Sequence, residues 1–529
     1  MFCQLDKLRR CLPGRIRRAL DELPRTLDAT YERTLQDIDE ENWEYAHRLL
    51  QCIAVASRPL RIEELAEFLA IDFDTGRIPT LVASWRPENP GNAVLSTCSS
   101  LITVVTLDGP PVVQFSHFSV QEFLMSSRLA SGVLLRYYIS LEPAHTIVAQ
   151  ACLSVLLQLD SHINKRRIEK YPLAHYAARH WVDHAKFKNV STHTEDAMKH
   201  VFDQDRPHFA AWIWIYDADQ SWRSMDSETP LQPNAQPIYY AALLDLPDMV
   251  ERLAAAHPQN VNEKGGYYGT PLCAAAARGC LRAAKVLVEC GAYVDNAGGN
   301  GWSPLLWASD SGCLELSQLM LNHGADINFR DPLNRTPLSL ASGKGYLEIA
   351  RLLLQQGADV NVWQCGEGTV LIKTLQKEDL MFADLLLTYN ADVNAQNGSG
   401  TNLLGLALGH KDLLSVRWLF EHGAKFPARH DQQYTQSPEG DRRTMGSIFS
   451  FIYSLCLSSC FHSIINPNGH IRLPDVEDGE PLNTSIGSTV KRHALLVGIS
   501  YSHSRSDSWR PLENSHADVD RFRDLLVCE

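Results

Sequence analysis

The 529-residue sequence lacks the composition of a nucleic-acid-binding, secreted or disulfide-stabilised protein. Acidic residues outnumber basic ones by 62 to 49, and the resulting net charge of −13 argues against the basic surface that DNA or RNA requires. The 13 cysteines are irregularly spaced and include no Cys-x-x-Cys pair. The first residues also lack the order of basic and then apolar residues found in a signal peptide. We therefore expect reduced thiols and a cytoplasmic location.

Motifs for a cofactor or a metal are missing as well. The chain has no Gly-x-x-x-x-Gly-Lys-Ser/Thr, the loop that cradles nucleotide phosphates. Cys456, Cys460 and His462 come closest to a metal cluster, but no fourth ligand follows at the spacing of a zinc site. We expect no cofactor, no metal and no catalytic residue.

One apolar run, 448–465, has the minimum length of a membrane helix. It also contains several serines and His462, and Pro467 follows it. We interpret the run as part of a linker and expect no membrane contact; the alternative is a membrane helix.

A 33-residue repeat dominates the middle of the chain. Thr270, Ser303 and Thr336 each precede Pro-Leu at this spacing, and Thr369 and Asn402 continue the register. A Gly-Ala or Asn-Ala pair follows 21 residues after each of them. Proline in a first helical turn costs no hydrogen bond, and the residue before it can cap the free amides. The pattern therefore predicts paired helices, and it resembles the ankyrin repeat.

The resemblance implies about six units over 237–429, with a degenerate first unit at Pro237. In the fifth unit Lys373 and Thr374 replace the usual Leu-Ala, so we expect that unit to be locally less stable. Ankyrin repeats present a concave surface built from turns and first helices, and proteins bind there. Exposed aromatic and arginine side chains are typical of binding hot spots. We predict that the partner binds to the turn residues Tyr267, Tyr268, Trp302, Asn334, Arg335 and Trp363. The alternative is that Trp302 and Trp363 only pack along the turns.

The region before the repeats has the outline of a winged helix. Two helical patterns (43–56 and 62–69) precede a hairpin pattern with strands at 101–105 and 112–115, and Ser119 begins a capping box for a further helix. A DNA-reading second helix would carry basic residues, whereas Glu63, Glu64 and Glu67 would repel phosphates. We therefore expect no nucleic-acid binding.

The segments 23–33 and 115–124 resemble the winged-helix region of STAND/NACHT receptors, as in fungal NACHT–ankyrin proteins, and that region is similar to the one in GPI inositol-deacylases. The resemblance implies a helical tail of a NACHT module (1–40), a winged-helix domain (41–130) and a helical region (131–230). A NACHT core would then precede Met1. His117 matches the family histidine that reaches the nucleotide's β-phosphate, but we interpret it here as a structural residue.

The last hundred residues combine a linker and the start of another domain. Residues 430–490 have linker composition, and 491–529 resemble the first strand and helix of a caspase-like (metacaspase) domain. The catalytic His and Cys of that family would lie further along, so we interpret the remaining candidates as bystanders: His493, His503, His516 and Cys528. We expect a fragment or truncated product of a longer signalling protein.

The predicted fold is thus mainly α, with a winged-helix and helical region, an ankyrin solenoid and an incomplete α/β caspase-like C-terminus. The predicted function is a non-enzymatic protein-binding and signalling module, whose repeats bind a protein partner in a fungal NACHT-type recognition or cell-death pathway. The alternative is a truncated caspase-like cysteine peptidase with an ankyrin regulatory region.

Overall fold

The computed structural model describes residues 26–425, apart from 75, 107–108, 224, 365–367, 378, 397–401 and 411–412. The expectations for residues 1–25, for the linker with its apolar run and Cys456, Cys460 and His462, and for the caspase-like start all lie outside the described residues. Within the described part, no helix combines the length and the apolar character that crossing a membrane requires.

The first part of the described chain is a small antiparallel sheet surrounded by helices. Its helices are α1 (Leu27–Gln36), α2 (Trp43–Val55), α3 (Ile62–Glu67), α4 (Pro90–Cys98) and α5 (Phe118–Leu124). Its strands are β1 (Leu60–Arg61), β2 (Ile71–Asp72), β3 (Thr80–Leu81), β4 (Ile102–Val105) and β5 (Val112–Phe115). β5 lies between β1 and β4, and β2 pairs separately with β3. The β4–β5 hairpin pairs Ile102 with Phe115 and confirms the predicted wing.

Two details of this region differ from the sequence-based expectation. Only Glu63 of the three acidic residues on α3 is exposed, because Glu64 and Glu67 are buried and paired with Arg58 and Arg86, respectively. The argument that all three would repel phosphates was therefore wrong. Both arginines come from outside α3, so helical spacing gave no sign of the pairs.

The cap of α5 is the second difference. His117, not Ser119, occupies the N-cap position, and its Nδ1 accepts a hydrogen bond from the Ser119 amide at 3.2 Å. The Ser119 hydroxyl bonds the same nitrogen at 2.6 Å and the Tyr31 hydroxyl at 2.8 Å. The Ser119–Tyr31 contact joins α5 to α1, and His117 is a structural residue at the start of α5, as we expected.

A helical region follows and continues into the repeats through an aromatic core. Its helices are α6 (Ser127–Ala130), α7 (Leu141–Leu156), α8 (Ala174–Ala185), α9 (Val190–Val201) and α10 (Pro207–Ile215). The Trp181 and Trp212 rings pack edge to face at 5.3 Å between centroids. Phe209 of α10 then packs against Tyr240 at 5.6 Å. Because Tyr240 lies on the first repeat helix, the last helix of this region shares its core with the repeats.

Among the described residues of 237–421, twelve helices form six consecutive pairs. The first helices of the pairs are α11 (Pro237–Leu243), α13 (Pro271–Ala277), α15 (Pro304–Ser311), α17 (Pro337–Lys344), α19 (Val370–Gln376) and α21 (Leu403–His410). The second helices are α12 (Pro247–Ala256), α14 (Leu281–Glu289), α16 (Leu314–Asn322), α18 (Leu347–Gln355), α20 (Leu380–Thr388) and α22 (Leu413–Glu421). Neighbouring first helices contact one another along the whole stack, and the second helices α12, α14, α16 and α18 contact one another in turn. The structure is thus mainly helical, as predicted.

The start of each first helix follows the predicted chemistry. The side-chain oxygens of Thr270, Ser303 and Thr336 each accept a hydrogen bond from the third helical amide. Thr369 makes no such cap, and its buried hydroxyl has no partner among the described residues. An unsatisfied buried hydroxyl costs stability. This observation agrees with the prediction of a weaker fifth unit.

The second helices of units two to six end at a residue in the left-handed conformation. Gly291, Gly324, Gly357 and Gly423 have φ between 80° and 92°, and Asn390 takes this place in the fifth unit with φ 63°. A side chain strains this conformation, and glycine, followed by asparagine, tolerates it best. The Gly-Ala signal in the sequence is thus explained by backbone geometry.

A ladder of side-chain amides connects each repeat to the next. The side-chain oxygen of Asn262 accepts a hydrogen bond from the amide 31 residues later at 2.8 Å. Asn328, Asn361 and Asn394 do the same at 2.8, 2.8 and 2.7 Å. Asn262 and Asn361 also donate their NH2 group to the carbonyl of the residue that ends the next second helix. Each asparagine therefore fixes a neighbouring turn.

Asp295 occupies the ladder position in the second unit. Its carboxylate accepts from the Asp326 amide at 3.0 Å, but it has no NH2 group to donate. Burial raises the pKa of Asp295, and the nearby Asp326 charge adds to that rise. The folded state therefore disfavours the ionised carboxylate at neutral pH. This penalty disappears as the pH falls through the raised folded-state pKa.

We predict that Asp295→Asn stabilises the protein by about 0.5–1 kcal/mol at pH 7, because it adds a hydrogen-bond donor and removes the disfavoured charge. The difference in unfolding free energy from the wild type should shrink towards pH 4, measured by urea unfolding. Asn361→Ala should destabilise the protein at both pH values. A gain from Asp295→Asn that is equal at both pH values, or a loss, would contradict this account.

Candidate functional site

The six predicted partner-binding residues lie on the turns that precede four successive first helices. Tyr267 and Tyr268 come before α13, and Trp302 comes before α15. Asn334 and Arg335 precede α17, and Trp363 precedes α19. Tyr267 is 52% exposed, and the other five are half-buried.

Three of these residues belong to a continuous line of ring contacts. Tyr267 meets Tyr268 at 5.1 Å between centroids, Tyr268 meets Trp307 at 4.9 Å, and Trp307 meets Trp302 at 4.4 Å. Trp222, from the turn after α10, extends the line through Tyr267 at 6.0 Å and is 68% exposed. We call Trp222, Tyr267, Tyr268, Trp307 and Trp302 the aromatic row. Edge-to-face geometry in most of these contacts stabilises the row beyond the burial of area alone.

Arg335 ends the aromatic row and is held from two sides. Its guanidinium carbon lies 4.9 Å from the centre of the Trp302 ring. Its Nε donates to Oδ2 of the buried Asp331 at 2.7 Å, and a terminal nitrogen lies 2.6 Å from the same oxygen. Because the side chain is already ordered, a partner that contacts it would lose little additional conformational entropy.

Asn334 and Trp363 have a different arrangement. Asn334 adopts the left-handed conformation with φ 62°, and its side-chain NH2 group donates to the Trp363 carbonyl. The two residues thus connect the turns of consecutive units. The structure does not bring them into the ring contacts of the aromatic row.

Trp222 and Trp307 were missed by sequence reasoning. Trp222 lies before the repeats, so the 33-residue period could not place it beside Tyr267. Trp307 lies inside a first helix at the position of Ala274 and Leu340, which are buried core residues. Its position in the repeat predicts a core residue, and only the packing of neighbouring units reveals its contact with Tyr268.

Asp219 anchors the start of the aromatic row to the helical region. This buried carboxylate accepts hydrogen bonds from the Tyr239 hydroxyl and the Tyr267 amide, both at 2.6 Å. The same Tyr239 oxygen accepts from the Tyr268 amide at 3.1 Å. Burial raises the pKa of Asp219, and it also raises the pKa of Tyr239. A Cβ at Gly266, which has φ 69°, would overlap the Tyr239 ring, so this turn requires glycine.

The described residues contain no group of three His, Cys, Asp or Glu side chains that could hold a metal ion. The seven described cysteines are free thiols, five of them buried. Burial raises the pKa of Cys273 to about 11, which disfavours the nucleophilic thiolate at neutral pH.

Comparison with protein families supports both regions. Residues 238–331 and 272–364 match ankyrin repeats (3 copies), and residues 31–136 match the winged helix domain of GPI inositol-deacylase. The predicted resemblances to ankyrin repeats and to this winged helix are therefore confirmed. Ankyrin repeats imply that the protein interacts with other proteins.

Individual proteins with similarity add context. The azaphilone pigments biosynthesis cluster protein L of Monascus ruber is 32% identical over 292 residues, which are 52% of this chain and 61% of that protein. The chain thus spans less than two thirds of this relative's length. The crystal structure of the ankyrin repeat domain of Bcl-3, a member of the IkappaB family, aligns with 26% identity and a TM-score of 0.35. That alignment covers 36% of this chain and 88% of the Bcl-3 chain.

We predict that Tyr239→Phe destabilises the protein by about 2 kcal/mol, because the Asp219 carboxylate loses a donor and the Tyr268 amide loses an acceptor. Thermal unfolding followed by tryptophan fluorescence measures the effect. Tyr293→Phe is the matched control, since Tyr293 is 68% exposed and should leave the melting temperature unchanged. Equal melting temperatures for the two variants would show that the hydrogen bonds of Tyr239 to Asp219 and Tyr268 do not stabilise the protein.

Proposed function

We propose that the chain is a non-enzymatic, cytoplasmic interaction protein whose ankyrin repeats bind a protein partner in a fungal NACHT-type recognition or cell-death pathway. The partner contacts the aromatic row, Arg335 and the first helices, which form the concave side of an ankyrin stack. The winged helix and the helical region relay the binding event or provide a docking surface.

The aromatic row is the observation that carries the proposal. Tryptophan, tyrosine and arginine are the residues most enriched in binding hot spots, and here they form a continuous line across several turns. Trp222 and Tyr267 present exposed rings at one end. Ring packing and the Asp331 ion pair hold the line in place before any partner arrives. Such preorganisation lowers the entropic cost of binding.

A continuous set of contacts supports a connecting role for the N-terminal region. The Glu67 side chain on α3 pairs with Arg86 and accepts a hydrogen bond from the Leu173 amide at 2.8 Å, which joins the winged helix to the helical region. Phe209 and the Asp219 anchor then join the helical region to the first repeats. A partner that displaces the turn at Tyr267 would act on groups already connected to the winged helix.

The absence of enzymatic activity is part of the proposal. It is supported by the lack of a P-loop in the sequence and by the use of His117 as a helix cap. The alternative, a truncated caspase-like peptidase, depends on residues 491–529 and remains a sequence-based hypothesis.

We predict that Trp302→Ala combined with Arg335→Ala weakens partner binding at least about tenfold, or about 1.4 kcal/mol, because it removes the stacked pair. The tagged full chain would be used to capture proteins from extracts of its source cells, with quantitative mass spectrometry as the measurement. Proteins captured by the wild type should be depleted in the variant sample.

The matched control is Met381→Ala combined with Arg351→Ala. Both residues are exposed and lie on second helices, on α20 and α18. This control should capture the same proteins as the wild type, and circular dichroism should show that all three chains are folded. Identical capture by the wild type and the Trp302/Arg335 variant would contradict the assignment of the site.

A further inference from the structure

The first helices carry mostly positive charge, in contrast to the chain as a whole. Helices α11, α13, α15, α17 and α19, with the residue that follows each, contain four cationic side chains and one carboxylate. The cations are Arg278, Lys344, Lys373 and Lys377, which we call the cationic row, and the carboxylate is Asp310.

The second helices have the opposite balance. Helices α12, α14, α16, α18 and α20 contain six carboxylates and four cations, and the complete chain has a net charge of −13. The positive character is thus confined to the side of the repeats that includes the aromatic row. A general excess of basic residues does not explain it.

Three lysines of the cationic row meet around the end of α17. The Lys377 ammonium group donates to the Gly343 carbonyl, and the Lys373 side-chain end lies 3.7 Å from the position that a Gly343 Cβ would occupy. The adjacent Lys344 is 52% exposed and pairs with Asp310 at 3.4 Å. The Lys373 and Lys377 side chains thus lie beside Gly343, and Lys344 follows it in the chain.

The cationic row and the aromatic row also meet. Lys373 falls at the repeat position that Trp307 has two units earlier, so the two side chains belong to one line across the first helices. The exposed Arg278 lies near the Tyr268 hydroxyl, where its charge opposes the burial that raises the pKa of that phenol. The two rows therefore form one surface.

We propose that this surface binds an acidic polypeptide segment in an extended conformation, with carboxylates on the cationic row and apolar side chains on the aromatic row. The inference rests on the proposed function and specifies the chemistry of the partner. Complementary charge favours such a segment over a neutral or basic one and accelerates association.

The geometry sets the length of the segment. Packed helices lie about 8–10 Å apart, so the three steps from α13 to α19 span about 27 Å. An extended chain advances about 3.3 Å per residue, so about eight or nine residues cross the surface. Carboxylates facing Arg278 and Lys344, which lie two units apart, would then be about five or six residues apart, and a carboxylate facing Lys373 would follow about three residues later.

An acidic polypeptide fits this surface better than a nucleic acid. Proteins that bind nucleic acids usually carry a strongly basic domain, whereas four cations stand here on a chain of net charge −13. Like charges on the second helices would also repel a long polyanion. A short acidic segment limits its contacts to the cationic row.

The test is the selection of random peptides of about twelve residues, displayed on phage, against the full chain; this length exceeds the span of the surface. Two charge-reversal variants serve as competitors: Lys344→Glu with Lys377→Glu, and the matched control Lys285→Glu with Arg351→Glu on the second helices. Labelled synthetic copies of selected peptides are then measured by fluorescence anisotropy at two salt concentrations. A single-stranded oligonucleotide of similar length is measured in parallel.

We expect selected peptides rich in Asp and Glu, which bind the control variant normally and the Lys344/Lys377 variant at least about tenfold more weakly, with affinity that falls as salt rises. Peptides without excess carboxylates that still require Trp302 would overturn the acidic partner and leave the proposed function intact. Failure to select any peptide that depends on either row would overturn both. Oligonucleotide binding equal to that of the peptides would overturn the choice of a polypeptide.

Discussion

The ladder of asparagine side chains is the interaction on which the rest of the structure depends. Each helix pair is short and buries apolar surface only against its neighbours, so an isolated unit would not be stable. Asn262, Asn328, Asn361 and Asn394, with Asp295 at the same position in the second unit, connect each unit to the turn of the next. The turns that bear Tyr267, Trp302 and Arg335 keep their spacing because the units that carry these turns stay in fixed positions relative to one another. The aromatic row therefore exists only as a property of the stack.

The site is also continuous with the region before the repeats, because the first turn of the site is held by a residue from that region. Asp219 lies outside the period, yet it fixes the first turn through Tyr239 and Tyr267. Burying a carboxylate is costly unless hydrogen bonds compensate, and here a hydroxyl and an amide supply them. The helical region thus serves as the cap that an end unit needs, and it adds Trp222 to the aromatic row. The contacts of Asp219 therefore both hold the Trp222 end of the aromatic row in place for binding and stabilise the junction between the helical region and the repeats.

The sequence was sufficient for the helix starts and ends of the repeats, which depend on local chemistry, but not for the cap of α5. The residues before Pro-Leu predicted helix starts because a Thr or Ser oxygen can reach the third amide, and Gly291 predicted a helix end because its conformation excludes most side chains. Contacts between distant segments could not be predicted in this way. The pairing of Glu64 with Arg58 crosses a helix boundary, and the contact of Trp307 with Tyr268 joins two units. The charge asymmetry was present in the sequence, but it becomes visible only when first and second helices are separated.

The central claim is that the first-helix side of the repeats, with the aromatic row, binds another protein. Site-specific photo-crosslinking in the source cells tests it most directly. A photoreactive phenylalanine analogue would replace Tyr267 in one chain and Met381, exposed on the second helix α20, in another. The account predicts a crosslinked partner from position 267, mapped by mass spectrometry to an acidic segment, and no such product from position 381. Crosslinking from position 381 alone would contradict it.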